Sequence, residues 1–468
     1  MIIERIKKIA LDNPNRIASK VDDDFITYKE LIRKVEINSE LLRKQGTSPV
    51  IIYGSKSIDT FVTIVSCLFA KRAYVPINLS TPTCRVEKII EYVKSGLVIT
   101  DQKINIRNIE CIQLNELKKY ESFKIRETEN KVAYFIFTSG STGEPKGVPI
   151  SYDNLDNFAG WISSLESLSS YKKINVLNQA DFSFDLSVAD IYYSICNGHT
   201  LIALDIDVQT EYDKIFDILK NEEIDLMVVT PTFIKLCLIN NEFNSVKLPH
   251  LKCIYFCGEQ LEKKTVRNLF ASFQNLKIIN AYGPTEATSA ISAIEIKPDY
   301  IDKYELLPVG DMNSLATDVE IICNEVILKG KSVFSGYLNN ISGGYYLENG
   351  INCYKTGDIG YIFDNKLFIK GRADNQVKYK GYRIELSDIE NNLNKIEGVE
   401  ESLVLPLKNQ EGVIKSLKAY VVISKPVDDL KSKLSLLIPK YMIPANIVIV
   451  DRLPINRNIK VDRKAVIS

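Results

Sequence analysis

The sequence predicts an α/β protein with a large N-terminal domain and a small, mobile α+β C-terminal domain. Strand-like apolar runs alternate with helix-like segments as far as about residue 290, which is typical of parallel-rich sheets flanked by helices. Short β-like runs dominate beyond that point, and from residue 375 strands and helices mix in a compact unit. A chain of 468 residues has room for two or three domains at roughly 150 residues each.

The N-terminal region supplies the alternating pattern. Segment 27–45 has helical spacing after a threonine, and segment 58–71 carries an apolar helix face. The predicted helices are 27–45, 58–71, 85–95, 186–197, 212–222, 232–240 and 263–270. The predicted strands are 50–53, 73–77, 97–100, 132–138, 200–204, 226–230, 253–257 and 276–281.

The last third of the chain has a different pattern of predicted elements. Short runs at 319–322, 325–329 and 366–370 predict a small β-rich subdomain over about 291–373. The C-terminal unit is predicted to contain helices 387–396 and 430–437 and strands 402–407, 416–423 and 447–450. We therefore expect a boundary within 371–375, with domains at 1–373 and 374–468.

Composition argues against several classes of protein. Lys and Arg total 59, as do Asp and Glu, so bulk-charge binding of nucleic acid is not expected. With only His199 and His250 present, a multi-histidine metal site is excluded. Nine cysteines without a CxxC pair predict a reduced, cytoplasmic protein. Segment 1–14 has no apolar core typical of a secretion signal, and the apolar stretch 60–70 is about half of a membrane span, so no membrane insertion is expected.

One segment joins a strand to a loop rich in glycine and hydroxyl residues, YFIFTSGSTGEPKG at 134–147. The loop consists of Thr138, Ser139, Gly140, Ser141, Thr142 and Gly143. Backbone N–H groups and hydroxyls in such a loop can converge on an anion, and Lys146 adds positive charge for a polyphosphate. The segment is not a GxxxxGK[ST] P-loop. A cluster of this composition is also typical of a plain flexible loop, but the preceding strand and the lysine favour a phosphate site.

Four further segments contain residues suited to nucleotide chemistry. In NAYGPTEAT at 280–288, Tyr282 could stack on a base and Glu286 could hold Mg²⁺ or a hydroxyl, although alone the segment is a turn with a solvated glutamate. In YKTGDIG at 354–360, Asp358 suits a ribose diol, or is simply a turn residue. Segment 371–386 falls at the domain boundary and is a hinge candidate. Segment 453–464 contains Lys460, which in isolation is one surface lysine among many.

In order and spacing, these five segments resemble the adenylate-forming superfamily of acyl-CoA synthetases, luciferases and nonribosomal peptide synthetase adenylation domains. Segment 73–85, AYVPINLSTPTCR, is similar to the AYVPxxxxxPxxR segment of that family, and the resemblance covers nearly the whole chain. FDLSV at 184–188 resembles the amino-acid branch, in which this aspartate, Asp185, pairs with the substrate ammonium. A buried ammonium needs a buried opposite charge. The other interpretation is that Asp185 caps the following helix.

The resemblance implies an amino-acid pocket that Lys460 completes at the substrate carboxylate. The implied pocket residues are Asp185, Leu186, Ala189, Val228, Tyr255, Cys257, Ala281, Ser289 and Ala290. FCGE at 256–259, like FDLSV, resembles the D-alanine–carrier protein ligases. Ala189 and Ser289 stand where larger apolar residues are expected, which predicts a roomier or more polar pocket, and Cys257 is expected to pack rather than react.

Three positions depart from the family pattern. Ile459 replaces the glycine that usually precedes the catalytic lysine, which affects the expected mobility of that loop. Tyr152 stands where many relatives have histidine, and the hairpin at 320–324 is shortened.

The resemblance implies ATP and Mg²⁺ as cofactors. A substrate carboxylate attacks the α-phosphorus of ATP and pyrophosphate leaves; the carboxylate is already ionised and needs no general base. The implied ATP-binding residues are Thr138, Ser139, Gly140, Ser141, Thr142, Gly143, Lys146, Asn280, Ala281, Tyr282, Gly283, Asp358 and Arg372. Thr285 is implied at the α-phosphate, Glu286 at Mg²⁺ and Lys460 at the developing charge.

The resemblance also implies a second half-reaction. The small domain is expected to pivot near Asp374 and admit the pantetheine thiol of a separate carrier protein, because no GGxS-type attachment site is present. We expect a monomer. One alternative is a CoA ligase for a small carboxylic acid, which would leave Asp185 unpaired. The other is a non-catalytic relative, against which the retention of Lys460, Glu286 and Asp358 argues.

Overall fold

The computed structural model describes residues 2–101, 110–113, 131–204, 211–340, 343–409, 412–454 and 463. Lys460 and Ile459 lie outside the described residues. The helices are α1 Ile2–Asp12, α2 Tyr28–Lys44, α3 Ile58–Phe69, α4 Thr83–Val93, α5 Tyr152–Ser164, α6 Glu166–Ser169, α7 Leu186–Asn197, α8 Tyr212–Asn221, α9 Pro231–Cys237, α10 Lys263–Ser272, α11 Tyr300–Lys303, α12 Leu386–Leu393 and α13 Leu430–Ser435.

The strands fall into two groups along the chain. Those before residue 300 are β1 Ile17–Val21, β2 Asp24–Thr27, β3 Val50–Tyr53, β4 Tyr74–Ile77, β5 Leu97–Thr100, β6 Glu110–Gln113, β7 Val132–Thr138, β8 Lys146–Ser151, β9 Asn175–Asn178, β10 Thr200–Ala203, β11 Leu226–Val229, β12 Cys253–Phe256, β13 Lys277–Tyr282 and β14 Ser292–Glu295. Those after it are β15 Gly310–Asp311, β16 Asp318–Ile322, β17 Glu325–Lys329, β18 Tyr345–Glu348, β19 Ile351–Phe363, β20 Lys366–Arg372, β21 Gln376–Tyr379, β22 Tyr382–Glu385, β23 Val399–Lys408, β24 Ile414–Ile423 and β25 Asn446–Ile449.

Two parallel-rich sheets confirm the predicted fold class. The first has eight strands in the order β14-β13-β12-β11-β9-β10-β1-β2, parallel from β13 to β1 and antiparallel at both edges. The second has six strands in the order β6-β5-β3-β4-β7-β8. Strands β3, β4, β5, β11 and β12 are buried along their whole length. Continuous apolar runs of this kind are expected when both faces of a parallel sheet are covered.

Helix α3 lies in the core between strands of both sheets. It contacts β1 and β2 of the eight-stranded sheet and β3 and β4 of the six-stranded sheet. Its residues from Thr60 to Phe69 are all buried, as expected for a helix that is apolar around its whole circumference. Helix α2 is amphipathic instead, and it begins with a capping box between Thr27 and Glu30.

The β-rich subdomain is a six-stranded sheet with the order β15-β20-β19-β17-β16, in which β18 also pairs with β19. The shortened hairpin between β16 and β17 closes through Cys323 and Asn324, whose φ angles are 52° and 66°. Two successive positive φ angles are typical of a type I′ turn, which matches the twist of the flanking strands. The hairpin therefore needs no glycine.

The chain divides into two compact units. Unit 1 comprises Met1–Asn78, Ile90–Ile136 and Val148–Gly371; unit 2 comprises Leu79–Ile89, Phe137–Gly147 and Arg372–Ser468. Unit 2 includes the hairpin β21–β22 and the sheet β23-β24-β25, with its own apolar core. The predicted division at 373/374 and the hinge at Asp374 stay predictions. Among the described helices, none combines the length and apolar character needed to cross a membrane.

Candidate active site

The centre of the candidate site in unit 1 is the loop that follows β13. Gly283 is required there, because a Cβ atom at this position would lie 2.6 Å from the Cα of Ala290. The Ile291 amide donates to the Tyr282 carbonyl at 2.8 Å, so the loop folds back on its own strand. This fold produces the short 3₁₀ helix Thr285–Ala287, which carries Thr285 and Glu286.

Asp185 is the residue before α7, and its side chain is directed at the loop after β13. Its Oδ2 accepts a hydrogen bond from the Thr285 hydroxyl at 2.5 Å. It makes no side-chain capping hydrogen bond to α7. The interpretation of Asp185 as a helix-capping side chain is therefore wrong, because the carboxylate binds a residue 100 positions away instead.

Tyr282 and Asp358 form a second buried pair. The Tyr282 hydroxyl donates to Oδ2 of Asp358 at 2.6 Å, and both side chains are buried. The Asp358 amide donates to the Thr356 hydroxyl at 3.0 Å, which fixes the backbone around the carboxylate. Asn280, on the same strand as Tyr282, donates from its amide to the Pro308 carbonyl at 2.8 Å.

Glu286 is fully buried and accepts a hydrogen bond from the Tyr337 hydroxyl. A backbone hydrogen bond joins the same two parts of the chain, because the Phe334 amide donates to the Glu286 carbonyl at 2.8 Å. Sequence reasoning missed Tyr337, and no motif around it points to a glutamate 51 residues earlier. Within the part of the chain that the structure describes, no group of three or more His, Cys, Asp or Glu side chains could hold a metal ion.

The implied pocket residues on β11, β12 and β13 belong to the same face of the eight-stranded sheet. Val228 on β11 and Tyr255 on β12 are direct register partners. The apolar members share one core cluster: Leu186, Ala189, Val228, Tyr255, Cys257, Ala281 and Ala290. Ser289, which precedes Ala290 in the chain, is also buried, and its φ angle is 70°. Period-two alternation explains the grouping, since Ile254 and Phe256 face the other core cluster.

Tyr255 is the one large side chain of that implied pocket set. It is fully buried, and its hydroxyl has no hydrogen-bond partner among the described residues. Burial, with a smaller contribution from Cys257, raises the pKa of this hydroxyl well above its ordinary value. Tyr255 is therefore a neutral, space-filling group at this face.

The predicted phosphate loop belongs to unit 2 and is shaped by its glycines. A Cβ atom on Gly140 would lie 2.1 Å from the Glu144 carbonyl oxygen, and Gly143 has a φ angle of 81°. The Ser139 hydroxyl donates to the Arg383 carbonyl at 2.9 Å and accepts from the Glu385 amide at 2.8 Å. This loop is therefore packed against the hairpin of its own unit through Ser139.

Unit 2 contains two sets of paired charges, one at Glu144 after the loop and one at Arg372 and Asp374. Burial alone would raise the pKa of Glu144, but hydrogen bonding and charge from Lys88 and Lys395 lower it. In the same unit, Arg372 binds Asp374 through two hydrogen bonds of 2.7 Å, so the residue implied near the ribose pairs with the implied hinge. Burial opposes ionisation of Asp374, but the Arg372 pair lowers its pKa.

Two family models match the chain. Residues 6–338 match the AMP-binding enzyme family, and residues 388–460 match the AMP-binding enzyme C-terminal domain. The chain belongs to this family. The match confirms the superfamily resemblance stated from the motifs.

Full-length relatives share one name. The chain is 36% identical to the D-alanine–D-alanyl carrier protein ligase of Staphylococcus haemolyticus, covering 99% of this chain and 98% of the relative. It is also 36% identical to the ligase of that name from Listeria welshimeri, with the same coverage. Identity at this level over the whole length confirms the resemblance to the D-alanine–carrier protein ligases.

Solved structures share the fold. The adenylation domain AlmE of Vibrio cholerae, in complex with glycyl-adenosine-5′-phosphate, matches with a TM-score of 0.84 and 22% identity over 99% of this chain and 96% of that chain. A double mutant of the o-succinylbenzoate CoA synthetase of Bacillus subtilis matches with a TM-score of 0.84 and 21% identity, covering 98% and 97%.

Proposed function

We propose that this AMP-forming ligase activates an amino acid as its aminoacyl-AMP and transfers it to the phosphopantetheine thiol of a separate carrier protein. The observation that carries the proposal is 36% identity, over nearly the full length of both chains, to two D-alanine–D-alanyl carrier protein ligases. D-alanine is the substrate that we propose on this basis.

The Asp185 carboxylate supplies the charge that an amino-acid substrate requires. It is half-buried at the start of α7, where a substrate ammonium would lose most of its water. An ammonium taken out of water must be paired with a negative group, because leaving it unpaired costs several kcal/mol. The Thr285 hydroxyl holds one carboxylate oxygen in place.

The implied pocket residues combine three alanines with one large aromatic side chain. Ala189, Ala281 and Ala290 contribute only methyl groups, while Tyr255 fills space at the adjoining strand. Small lining residues leave more space than large ones, so the choice of D-alanine rests on the named relatives and not on the size of these residues. The stereochemical preference is taken from the relatives and is the part of the proposal that the exchange experiment below tests directly.

We assign nucleotide binding to residues of β13, of β19 and of the glycine-rich loop. Tyr282 and Asn280 are proposed at the adenine, and Asp358 is proposed at the ribose hydroxyls; a role near the ribose is also proposed for Arg372. Ser139, the loop glycines and Lys146 are proposed at the phosphates, where backbone N–H groups and a cation stabilise negative charge. Lys460 is proposed at the substrate carboxylate and the developing charge on phosphorus.

Glu286 is the residue that would hold Mg²⁺. Mg²⁺ in nucleotide sites takes one or two carboxylates and completes its shell with phosphate oxygens and water. A single buried carboxylate fits that donor set, and the Tyr337 hydroxyl orients it. When bound, the ion would neutralise charge on the phosphates as pyrophosphate leaves.

A CoA ligase for a small carboxylic acid remains the alternative activity. An uncharged acyl chain would give the Asp185 carboxylate no cationic partner in the complex. A cytoplasmic location, a monomeric state and a pivot near Asp374 stay predictions.

Amino-acid-dependent exchange of pyrophosphate into ATP tests the proposal. We expect exchange with D-alanine, weak exchange with L-alanine, and none with simple fatty or aryl acids. Lys460→Ala should abolish exchange while ATP binding, measured by calorimetry, persists. Exchange with a carboxylic acid but with no amino acid would contradict the proposal and favour the CoA-ligase alternative.

Transfer is tested separately with a purified phosphopantetheinylated carrier protein. Thioester formation is followed by mass spectrometry, with the same carrier lacking phosphopantetheine as the control. Formation of aminoacyl-AMP without transfer to that carrier, but with transfer to CoA, would contradict the carrier assignment.

A further inference from the structure

Residues 178–185, which we call the 178–185 segment, connect β9 to α7 and end at Asp185. The segment leaves the carboxyl end of β9 in the eight-stranded sheet. Side chains that follow β3 and β4, at the carboxyl ends of strands in the six-stranded sheet, reach this segment. The two sheets of unit 1 therefore meet at the residues that lead to Asp185.

Lys56, in the loop after β3, makes the first of these contacts. Its side chain is buried, and the residue is only 4% exposed. The ammonium donates to the carbonyls of Asn178 at 3.2 Å, Gln179 at 2.8 Å and Leu204 at 3.0 Å. An ammonium has three N–H donors, so these three acceptors match its whole donor capacity.

A buried carboxylate supports the same arrangement. Asp190 on α7 is fully buried and accepts from the Asn178 amide at 2.8 Å. Burial raises the pKa of Asp190 well above its ordinary value, while the Asn178 hydrogen bond and the charge of Lys56 lower it. The same side-chain amide of Asn178 also donates to the Ala180 carbonyl at 3.1 Å. Its two hydrogen bonds therefore connect α7 to the start of the segment.

Asn78, after β4, makes the second contact between the sheets. Its amide donates to Oδ2 of Asp181 at 2.5 Å. The other oxygen of Asp181 accepts from the Ser183 amide at 2.8 Å and the Ser183 hydroxyl at 2.6 Å. The path from Asn178 to Asp185 is thus fixed at positions 178, 179, 181 and 183 by polar groups.

We propose that Lys56 is a positioning residue for amino-acid binding: by holding the carbonyls of Asn178 and Gln179, it sets the position of the Asp185 carboxylate. This inference rests on the proposed function, in which Asp185 binds the substrate ammonium. Lys56 does not itself contact the substrate. Its effect reaches the substrate through the backbone of the 178–185 segment.

Arg72 provides a matched control for the loss of a buried cation. It is 2% exposed, and its guanidinium donates to the carbonyls of Leu42 at 2.7 Å and Ser48 at 2.7 Å. Lys56 and Arg72 are therefore both buried cations that donate hydrogen bonds to backbone carbonyls, but the Arg72 partners Leu42 and Ser48 lie outside the 178–185 segment. Lys56→Met and Arg72→Met should lower stability by similar amounts.

The experiment compares these two variants in the full-length enzyme, first by hydrogen exchange and then by kinetics. Lys56→Met should speed amide exchange in peptides covering 178–185, whereas Arg72→Met should not. In pyrophosphate exchange, Lys56→Met should raise the KM for D-alanine about tenfold, because small misplacements of binding groups carry large penalties. The KM for ATP should change less than about twofold, and Arg72→Met should leave both constants near wild type.

A double variant shows whether Lys56 acts through Asp185. In an Asp185→Asn background, Lys56→Met should add little to the KM for D-alanine, because residues that act through one another are not additive. Equal exchange in the 178–185 peptides of Lys56→Met and wild type would overturn the proposal. So would a KM effect that is the same with and without Asp185. If the wild-type enzyme activates no amino acid, the proposed function fails, and hydrogen exchange alone still decides whether Lys56 holds the segment.

Discussion

The Asp185 carboxylate and the Thr285 hydroxyl are joined by a hydrogen bond of 2.5 Å. Asp185 precedes α7 and Thr285 follows β13, so the bond links two parts of unit 1 that are 100 residues apart. Because Thr285 is implied at the α-phosphate, this bond connects the proposed ammonium site to the proposed reaction centre. An amino acid bound at Asp185 would then be held beside Thr285, the residue proposed at the α-phosphate.

Asp185→Asn should raise the KM for the amino acid by about tenfold to a hundredfold, since hydrogen bonds to charged groups are worth about 1.5–3 kcal/mol. The amide can still accept from Thr285, so the local geometry is kept while the negative charge is lost. The KM for ATP should stay near wild type. Thr285→Ser, which retains the hydroxyl, is the matched control, and an Asp185→Asn enzyme with an unchanged amino-acid KM would rule out the ammonium role.

Glu286→Gln should raise the Mg²⁺ concentration needed for half-maximal exchange by about tenfold or more, because a neutral amide is a weaker ligand for a hard cation. Tyr337→Phe removes the orienting hydroxyl but leaves the carboxylate, so we expect a smaller shift. Titration of MgCl₂ at fixed ATP measures both. Identical Mg²⁺ dependence in wild type and Glu286→Gln would place the ion elsewhere.

The alternating pattern of the chain predicted many elements because fully buried parallel strands leave continuous apolar runs. Leu97–Thr100, Val132–Thr138 and α7 have the predicted bounds. Helix α1 and the hairpin β1–β2 were missed, since they are short and carry charged residues on their exposed faces. The sequence did not predict which parallel strands belong to which sheet, because strand pairing is set by tertiary packing.

The residues of the candidate site were also predictable from the sequence only in part. Motifs located Asp185, Tyr282, Thr285, Glu286 and Asp358, because each stands in a segment of distinctive composition. The Asp185–Thr285 and Tyr282–Asp358 hydrogen bonds join residues of these same segments, but other contacts of the site were not predictable. Tyr337 and Lys56 belong to no such segment, and each reaches its partner only through long-range packing.

Arg85→Met should destabilise unit 2 strongly. Arg85 donates to Asp388 at 2.9 Å, and their side chains are 8% and 0% exposed. Removing one member of a buried ion pair costs about 3–5 kcal/mol because the other charge stays buried. Lys88→Met is the control: Lys88 pairs with Glu144 at 2.6 Å, but these side chains are 42% and 32% exposed, and an exposed pair contributes about 1 kcal/mol or less.

Amide hydrogen exchange in α12 measures this difference within unit 2. Arg85→Met should lower the protection of α12 amides by at least about a hundredfold, whereas Lys88→Met should change it by less than about tenfold. Equal protection in the two variants would show that the buried pair contributes no more than the exposed one.

His199 makes stability depend on pH. It is fully buried, and burial together with the nearby Arg16 lowers its pKa from 6.5 to about 4. In the unfolded chain the imidazole binds a proton near its ordinary pKa, so between about pH 6.5 and 4 the unfolded state holds more protons than the folded state. The stabilising contribution is therefore present above the unfolded pKa and is lost as the pH falls. From pH 7 to pH 5 this single group should lower the free energy of unfolding by about 2 kcal/mol.

His199→Asn removes the titrating imidazole but keeps a hydrogen-bond acceptor near the position of Nδ1. In wild type, Nδ1 accepts a hydrogen bond from the Ile174 backbone amide at 3.4 Å. Urea unfolding of wild type, His199→Asn and His250→Asn at pH 7 and pH 5 tests the assignment. His250 is the other histidine of the chain and its side chain is 49% exposed, so its replacement is the control for removing an imidazole from the surface. The His199 variant should lose stability overall, yet its loss between pH 7 and pH 5 should be about 2 kcal/mol smaller than that of wild type. If both variants keep the full pH dependence, the acid sensitivity arises from carboxylates rather than from the buried imidazole.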